Sequence, residues 1–224
     1  MPPTTEDIES LRVRCLEVLG SPPDWVAPVG YPDSLALCVI DSIWSIGIRY
    51  ATVDRVVDSY RARRIGLGRD ADADGTEELL GDVAAAGGAE AWRKLVGTRH
   101  RTSTRGGIPK AEAVVLAAEA LVGVGLVSAA DVRGASVEQL DRAERAWRAV
   151  RGQRSGISWR YLLMLAGSAQ VKPDRMICRF VERAIGQRPT PDYAAELVLA
   201  VASKLCVDVR ALDHRMWRFQ SGRG

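Results

Sequence analysis

Apolar residues recur at helical spacing along most of the chain. Positions three and four residues apart predict amphipathic helices over residues 5–19, 49–62, 77–85, 90–95, 110–122, 137–149, 157–166, 175–185, 191–206 and 209–219. Residues 34–44, SLALCVIDSIW, are apolar almost all round and predict a central buried helix. No stretch keeps the period-two alternation of a strand. The pattern therefore predicts an all-α fold.

The segment 63–76 interrupts this pattern with polar residues and glycine, and we expect a mobile loop there. Asp70, Asp72 and Asp74 have the alternating spacing of a calcium-binding loop. The glycine and the terminal glutamate of such a loop do not fall in place, so the pattern does not predict a calcium site.

Charge and length narrow the class of protein. With 224 residues the chain can bury one core or two small ones. The net charge is only +3, but the basic residues are nearly all arginine. Arginine suits forked contacts with phosphate, and a GC-rich genome would give the same excess. Both explanations stay open from composition alone.

The four cysteines, at positions 15, 38, 178 and 206, are far apart. Zinc sites and iron–sulfur clusters need close ligand pairs, so we expect small buried side chains and no metal. No apolar run is long enough to span a membrane, and the N-terminus has no signal-peptide pattern. The sequence predicts a soluble, cytoplasmic protein.

The stretch from Val150 to Arg179 carries the candidate chemistry. Gly152 and Gly156 permit a tight turn whose N–H groups, with those of the helix that follows, suit a phosphate. Asp174 lies directly before a predicted helix, where its carboxylate would cap the helix.

This stretch resembles the helix-hairpin-helix DNA glycosylases, the endonuclease III-like superfamily. The resemblance places residues 152–156 on the hairpin, residues 165–167 at the end of its second helix, and Asp174 on the catalytic aspartate. It extends over about residues 34–219 and is strongest at 150–179. Arg154 stands where the hairpin has a second glycine, and Gly156 stands where some members have a lyase lysine. The four-cysteine cluster of many relatives is missing.

The resemblance implies a two-lobed helical fold with a cleft that holds Asp174. Residues 34–169, including the hairpin at 150–160, would form one lobe, and residues 1–33 with 170–224 the other. It implies no iron–sulfur cluster and no cofactor beyond a monovalent cation that the hairpin could hold. The expected partner is double-stranded DNA with a damaged or modified base, bound by a monomer.

Site residues follow from these expectations. The DNA-binding candidates are the hairpin residues Gly152, Gln153, Arg154, Ser155, Gly156, Ile157 and Ser158, and the loop residues Arg99, Arg101 and Arg105. The candidates for a base pocket or a wedge are Trp44, Asp41, Trp159, Tyr161 and Lys172. Core packing is the alternative for each aromatic residue, and an internal hydrogen bond is the alternative for Asp41.

The expected reaction is hydrolysis of an N-glycosidic bond. Asp174 would stabilise the positive charge that builds on the deoxyribose, or would activate a water molecule. Without a lysine at position 156, water would be the nucleophile and the strand would stay intact; Lys172 is the only nearby substitute amine. Repair and removal of modified phage bases are equally compatible with the sequence. The alternative is a DNA-binding protein without catalysis, in which Asp174 only caps a helix.

Overall fold

A computed structural model of the chain describes residues 2–222. Within this range the regular structure consists of two short 3-10 helices, at Pro22–Asp24 and Ala71–Ala73, and twelve α-helices: α1 (Thr5–Val18), α2 (Leu35–Trp44), α3 (Tyr50–Gly66), α4 (Thr76–Ala85), α5 (Ala89–Leu95), α6 (Lys110–Val122), α7 (Ala129–Gly134), α8 (Val137–Ala149), α9 (Ile157–Leu165), α10 (Arg175–Ile185), α11 (Pro191–Leu205) and α12 (Val209–Gln220). The only extended pairing in these residues is one antiparallel bridge between Arg101 and Pro109. The predicted all-α fold is confirmed.

The chain divides into two compact units, each with its own core. One unit runs from Gly30 to Ser168 and contains α2 to α9; the other contains the residues up to Val29 and those from Ala169 onward. The buried apolar residues form two clusters that follow the same division. In the described part of the chain, no helix is both long and apolar enough to cross a membrane.

Helix α2 is the centre of the Gly30–Ser168 unit. All of its residues are buried, as its apolar sequence predicts. Ser34 caps its start by accepting the N–H of Leu37. At its end, the buried ammonium of Lys110 donates to the carbonyl oxygens of Ile43, Trp44 and Ile46 at 2.6, 3.1 and 2.8 Å. A cation is favoured there because the carbonyl end of a helix is partly negative.

The other unit packs α1 against α10 and α11, and α12 against α10 and α11. Its core includes Leu11, Ile177, Phe180, Val198 and Met216, all at most 1% exposed. Helix α10 carries these apolar contacts on one face and ends at Gly186, whose φ of 72° lies in the left-handed region. Such a residue closes a helix end, and glycine takes this conformation without strain.

Residues 63–76 are ordered, which corrects the prediction of a mobile loop. Helix α3 continues to Gly66, and a short 3-10 helix follows at Ala71–Ala73. The guanidinium of Arg64, only 8% exposed as a residue, forms two bonds of 2.6 and 2.8 Å to the buried carboxylate of Asp74. The hydroxyl of Tyr60 donates to the same carboxylate at 2.7 Å. Ion pairing across the turn therefore holds a segment that looks polar and loose in the sequence.

Candidate functional site

The turn between α8 and α9 contains both glycines of the predicted hairpin. Gly152 has φ of 95° and Gly156 has φ of 75°, which are backbone conformations that favour glycine. Two hydrogen bonds close the turn, from Gln153 N–H to the Val150 carbonyl at 2.9 Å and from Gly156 N–H to the Gln153 carbonyl at 3.0 Å. The Arg148 side chain donates to the Arg154 carbonyl at 3.0 Å and fixes the outer part of the turn. The first N–H groups of α9 follow directly and have no partner within the helix.

The side chains of Gln153 and Ser158 form the interior of this turn. Gln153 is 2% exposed and Ser158 is 1% exposed. The Ser158 hydroxyl donates to the Gln153 side-chain carbonyl at 2.5 Å and accepts the indole N–H of Trp147 at 2.9 Å. The expected DNA contact through the Gln153 side chain does not agree with this burial, and a contact at Ser158 would have to use its main-chain atoms. Arg154 and Ser155 are exposed, and Ile157 is half-buried.

The loop after α5 folds back on itself as a narrow hairpin. Thr102 N–H donates to the Ile108 carbonyl and Lys110 N–H to the His100 carbonyl, both at 2.9 Å. The guanidinium of Arg101 donates through Nε to the Gly107 carbonyl at 3.1 Å. Arg101 is thus partly structural, whereas the predicted contact residues Arg99 and Arg105 are exposed and have no ion-pair partner among the described residues.

This loop lies against the α8–α9 turn. A Cβ atom placed on Gly152 would lie 2.4 Å from Cβ and 2.7 Å from Oγ1 of Thr102, so the Gly152 backbone lies closer to the Thr102 side chain than a residue with a Cβ atom would allow. The Arg151 guanidinium lies beside Gly106 in the same way, 3.9 Å from the position of an added Cβ. Two segments about 50 residues apart in sequence are therefore one continuous surface.

That surface is rich in exposed arginine and in backbone turns. Its exposed cationic side chains are Arg99, Arg101, Arg105, Arg151 and Arg154. Arg151 and Thr102 were not among the predicted contact residues; the spacing of basic residues in each segment indicates a phosphate contact, but nothing in the spacing shows which segments touch. Guanidinium groups and turn N–H groups on one face can together bind several phosphates of a nucleic-acid backbone.

Asp174 belongs to the other unit, where it caps α10 as predicted. Its Oδ1 accepts the N–H of Met176 at 2.7 Å and that of Ile177 at 3.2 Å. Oδ2 takes no part in this cap, and the residue is half-buried. One oxygen of the carboxylate therefore fixes its orientation while the other remains outside the helix cap.

A second carboxyl group, missed in the sequence, lies close to Asp174. Asp213 on α12 is 4% exposed and accepts the backbone N–H of Lys172 at 3.1 Å. Burial, with a further contribution from the charge of Asp174, raises the pKa of Asp213 to about 8. An acidic residue within the apolar spacing of α12 is equally typical of a solvated helix face, so this spacing did not indicate a buried carboxyl group.

The residues predicted for a base pocket or a wedge are mostly in the core of the Gly30–Ser168 unit. Trp44 is fully buried and packs edge-on against Trp92 with ring centroids 6.2 Å apart. Trp159 is 2% exposed and packs against Trp147 at 5.9 Å. Neither indole has a surface on which a base could stack, so the alternative of core packing describes both. Tyr161 is 9% exposed on the same helix as Trp159.

Asp41 is held inside the same unit, in agreement with the alternative of an internal hydrogen bond. It is 1% exposed, and its Oδ2 accepts the hydroxyl of Tyr31 at 3.0 Å. Burial and the charge of Asp41 raise the pKa of Tyr31 well above its ordinary value. The Arg61 guanidinium lies 5.6 Å from the centre of the Tyr31 ring. This arrangement stabilises a buried carboxylate through neighbouring polar groups.

The cysteines are all unpaired thiols, and two of them, Cys15 and Cys38, are buried. Burial raises the pKa of Cys15 to about 12, as expected for an inert core thiol. Among the described residues, no three side chains of histidine, cysteine, aspartate or glutamate are grouped as metal ligands would be.

Comparison with known proteins gives a family without an assigned activity. No curated protein and no solved structure matches the chain. The model of one family matches residues 9–221, which is nearly the whole sequence and includes both units. The chain belongs to that family, which is described as a domain of unknown function, DUF8548.

Proposed function

We propose that this protein is a DNA glycosylase that hydrolyses the N-glycosidic bond of a damaged or modified base. The observation that supports the proposal most strongly is the contact between the arginine-bearing loop and the α8–α9 turn. Both segments have the composition of a phosphate contact, and packing Gly152 against Thr102 makes them one surface. In this proposal α8, the turn and α9 are the helix-hairpin-helix motif.

The grip on DNA comes from the backbone of the turn and from arginine side chains. The Gln153 and Ser158 side chains are buried, and the N–H groups of Gln153 and Gly156 donate within the turn, so contacts with phosphate would come from the remaining main-chain N–H groups of the turn. Such contacts do not depend on base sequence. Arg99, Arg105, Arg151 and Arg154 add charge around the turn, which would fix the duplex and present the sugar of one nucleotide.

Asp174 would perform the chemistry. As the bond to the base breaks, positive charge develops on the deoxyribose, and an adjacent carboxylate lowers the energy of that transition state. The cap uses Oδ1 of Asp174, which orients the group and keeps Oδ2 for the sugar or for the attacking water molecule. The target base would be flipped out of the duplex to expose this bond.

Water is the proposed nucleophile because position 156 is a glycine in the turn. The products would be a free base and an abasic site in an intact strand. Lys172 could replace water only if its amine attacked the sugar, and this would leave a covalent intermediate that borohydride traps. Repair of damaged DNA and excision of modified phage bases remain two settings for the same reaction.

A DNA-binding protein without catalysis is the second candidate. It is favoured by one observation, namely that the two hydrogen bonds accepted by Asp174 are those of an ordinary helix cap. This candidate predicts the same affinity for DNA and no role for the charge of Asp174. A test must therefore separate binding of the duplex from recognition of positive charge at the sugar.

Two abasic analogues provide that test without knowledge of the target base. One duplex contains a tetrahydrofuran abasic site, which is neutral, and the other a pyrrolidine site, which carries the positive charge of the transition state. We expect the wild-type protein to prefer the pyrrolidine duplex by at least about tenfold, since a transition-state mimic gains the interactions made only at the barrier. Asp174→Asn keeps a capping oxygen and should lose this preference while it binds the tetrahydrofuran duplex normally.

Base release completes the assignment. Incubation of the protein with duplexes that contain alkylated, oxidised, deaminated or enlarged bases, followed by mass spectrometry, should identify a free base that Asp174→Asn does not release. The strand should break only after heat or alkali. Equal affinity for the two analogues in the wild type, together with no released base, would leave the non-catalytic candidate.

A further inference from the structure

We propose that Asp213 is a positioning residue for Asp174. Its carboxyl group holds the Lys172–Pro173–Asp174 segment in place and thereby fixes the orientation of the catalytic carboxylate. This inference rests on the proposed function for the role of Asp174. The arrangement itself lies within one unit, which contains residues 172–174, α10 and α12.

The segment that carries Asp174 is a tight turn. Asp174 N–H donates to the Lys172 carbonyl at 2.6 Å, two residues earlier, with Pro173 between them. A bond of this span defines a three-residue γ-turn, and the fixed φ of proline suits its central position. The end of the turn is anchored by the cap of α10, through Oδ1 of Asp174.

Asp213 anchors the start of the same turn. Its Oδ2 accepts the Lys172 N–H at 3.1 Å, across 41 residues of sequence. This hydrogen bond lies in a buried region, since Val171, next to Lys172, is 1% exposed and Asp213 is 4% exposed. Removal of this acceptor would break the hydrogen bond that fixes the start of the turn, which is costly at a buried position. The turn is thus held at both ends, and both anchors depend on carboxylate oxygens.

The protonation state of Asp213 also agrees with a role in holding the turn that contains Asp174. Burial and the negative charge of Asp174 raise the pKa of Asp213 to about 8, and the N–H and the charge of Lys172 only partly oppose them. At neutral pH the group is therefore mostly a neutral acid, whose carbonyl oxygen accepts an N–H without adding a second negative charge beside Asp174. An asparagine has the same shape and the same acceptor, and it stays neutral at every pH.

Two substitutions distinguish the positioning of Asp174 from a role of Asp213 in stability alone. Asp213→Asn keeps the hydrogen-bond acceptor, and Asp213→Leu keeps the branched shape in a somewhat larger side chain but removes the acceptor. At pH 7 we expect Asp213→Asn to keep the wild-type preference for the pyrrolidine duplex over the tetrahydrofuran duplex. We expect Asp213→Leu to lose about tenfold or more of that preference, as a displaced catalytic group would, with affinity for the tetrahydrofuran duplex unchanged. A role in stability alone would change both affinities equally or neither.

A second measurement is independent of any activity. The Lys172 amide signal in the nuclear magnetic resonance spectrum should titrate with a midpoint near pH 8 in the wild type, because its acceptor ionises there, and should not titrate in Asp213→Asn. This measurement also stands if Asp213→Leu does not fold. A Lys172 amide that is insensitive to pH in the wild type, or an unchanged analogue preference in folded Asp213→Leu, overturns the inference. Loss of the preference only in the Asp174 variant would support the proposed function and reject the role of Asp213.

Discussion

Asp72 and Asp74 are two residues apart, yet their surroundings predict different contributions to the stability of the fold. The Asp74 carboxylate is buried and bonded to Arg64 and Tyr60. Asp72 is paired with Arg61, but its side chain is 57% exposed. Removing one partner of a buried ion pair leaves the other charge without compensation, whereas an exposed pair is weakened by water and by salt.

We expect Asp74→Ala to lower the free energy of unfolding by about 3–5 kcal/mol, and Asp72→Ala to lower it by less than about 1 kcal/mol. Urea denaturation of both variants, monitored by circular dichroism, measures the difference. Since the residues lie in the same segment, each serves as the control for the other. Equal losses would show that the Arg64–Asp74 pair does not order the segment between α3 and α4.

Polar residues are also where the sequence alone was least informative. Gln153 lies in a glycine-rich turn, and its type is compatible with either a DNA contact or a buried hydrogen bond. Burial and the Ser158 hydroxyl decide between the two, and both come from tertiary packing. Asp213 shows the reverse, since an acidic residue on a helix predicts a solvent-exposed side chain, and only its tertiary neighbours show that it is buried. The helix cap at Asp174 depends only on the residues next to it in the sequence, and it was predicted from them.

Helices with strong end signals were predicted closely. Lys110–Val122, Val137–Ala149 and Arg175–Ile185 have the predicted bounds, because proline, serine or aspartate precedes each and glycine or a turn follows. Helix α7, of six residues, was not predicted, since one turn of helix has too few positions to show a period. The end of α3 was missed because its last turn depends on the bond between Arg64 and Asp74.

At the scale of elements, Gly152 joins the α8–α9 turn to the loop before α6. Gly152→Ala should strain a backbone with φ of 95° and push Thr102 away, since the new Cβ would lie 2.4 Å from the Thr102 Cβ. We expect lower affinity for duplex DNA and a loss of stability greater than the roughly 1 kcal/mol that alanine costs at an open left-handed position. Fluorescence anisotropy and urea denaturation measure the two effects.

Gly186→Ala is the matched control, because Gly186 also has a positive φ, of 72°, but nothing lies within 4 Å of its added Cβ. It should lose stability without a change in DNA affinity. The pair Gly152→Ala and Thr102→Gly removes the crowding atom and should recover part of both losses in a double-mutant cycle. Independent, additive effects would argue that the turn and the loop do not depend on each other.

For the whole molecule, the sequence predicts local structure well but does not predict contacts between residues that are far apart in the chain. The helices of the two cores follow from their apolar patterns, and the chain divides into units with limits at Val29, Gly30, Ser168 and Ala169. The contact of the arginine loop with the turn joins residues 102 and 152, and no local pattern encodes that pairing. It results from the packing of α6 against α8 and of α8 against α9, which brings the two connections to one side.

The joined surface makes a quantitative prediction for DNA binding. Each arginine that contacts a phosphate releases bound counterions, so the slope of log Kobs against log salt should become shallower by about 0.9 for each contact removed. Arg105 and Arg154 are exposed, lie in different segments, and have no ion-pair partner among the described residues. Arg105→Ala with Arg154→Ala should reduce the slope by about 1.8, and each single change by about half of that, if both contact the same duplex. Arg12→Ala is the control, because the carboxylate of Glu9 already neutralises that guanidinium at 2.6 Å. Anisotropy titrations of one undamaged duplex at several salt concentrations give all five slopes, for the wild type and the four variants. Should the double variant keep the wild-type slope, the duplex must bind elsewhere, and the loop and the turn would be neighbours only because of the fold.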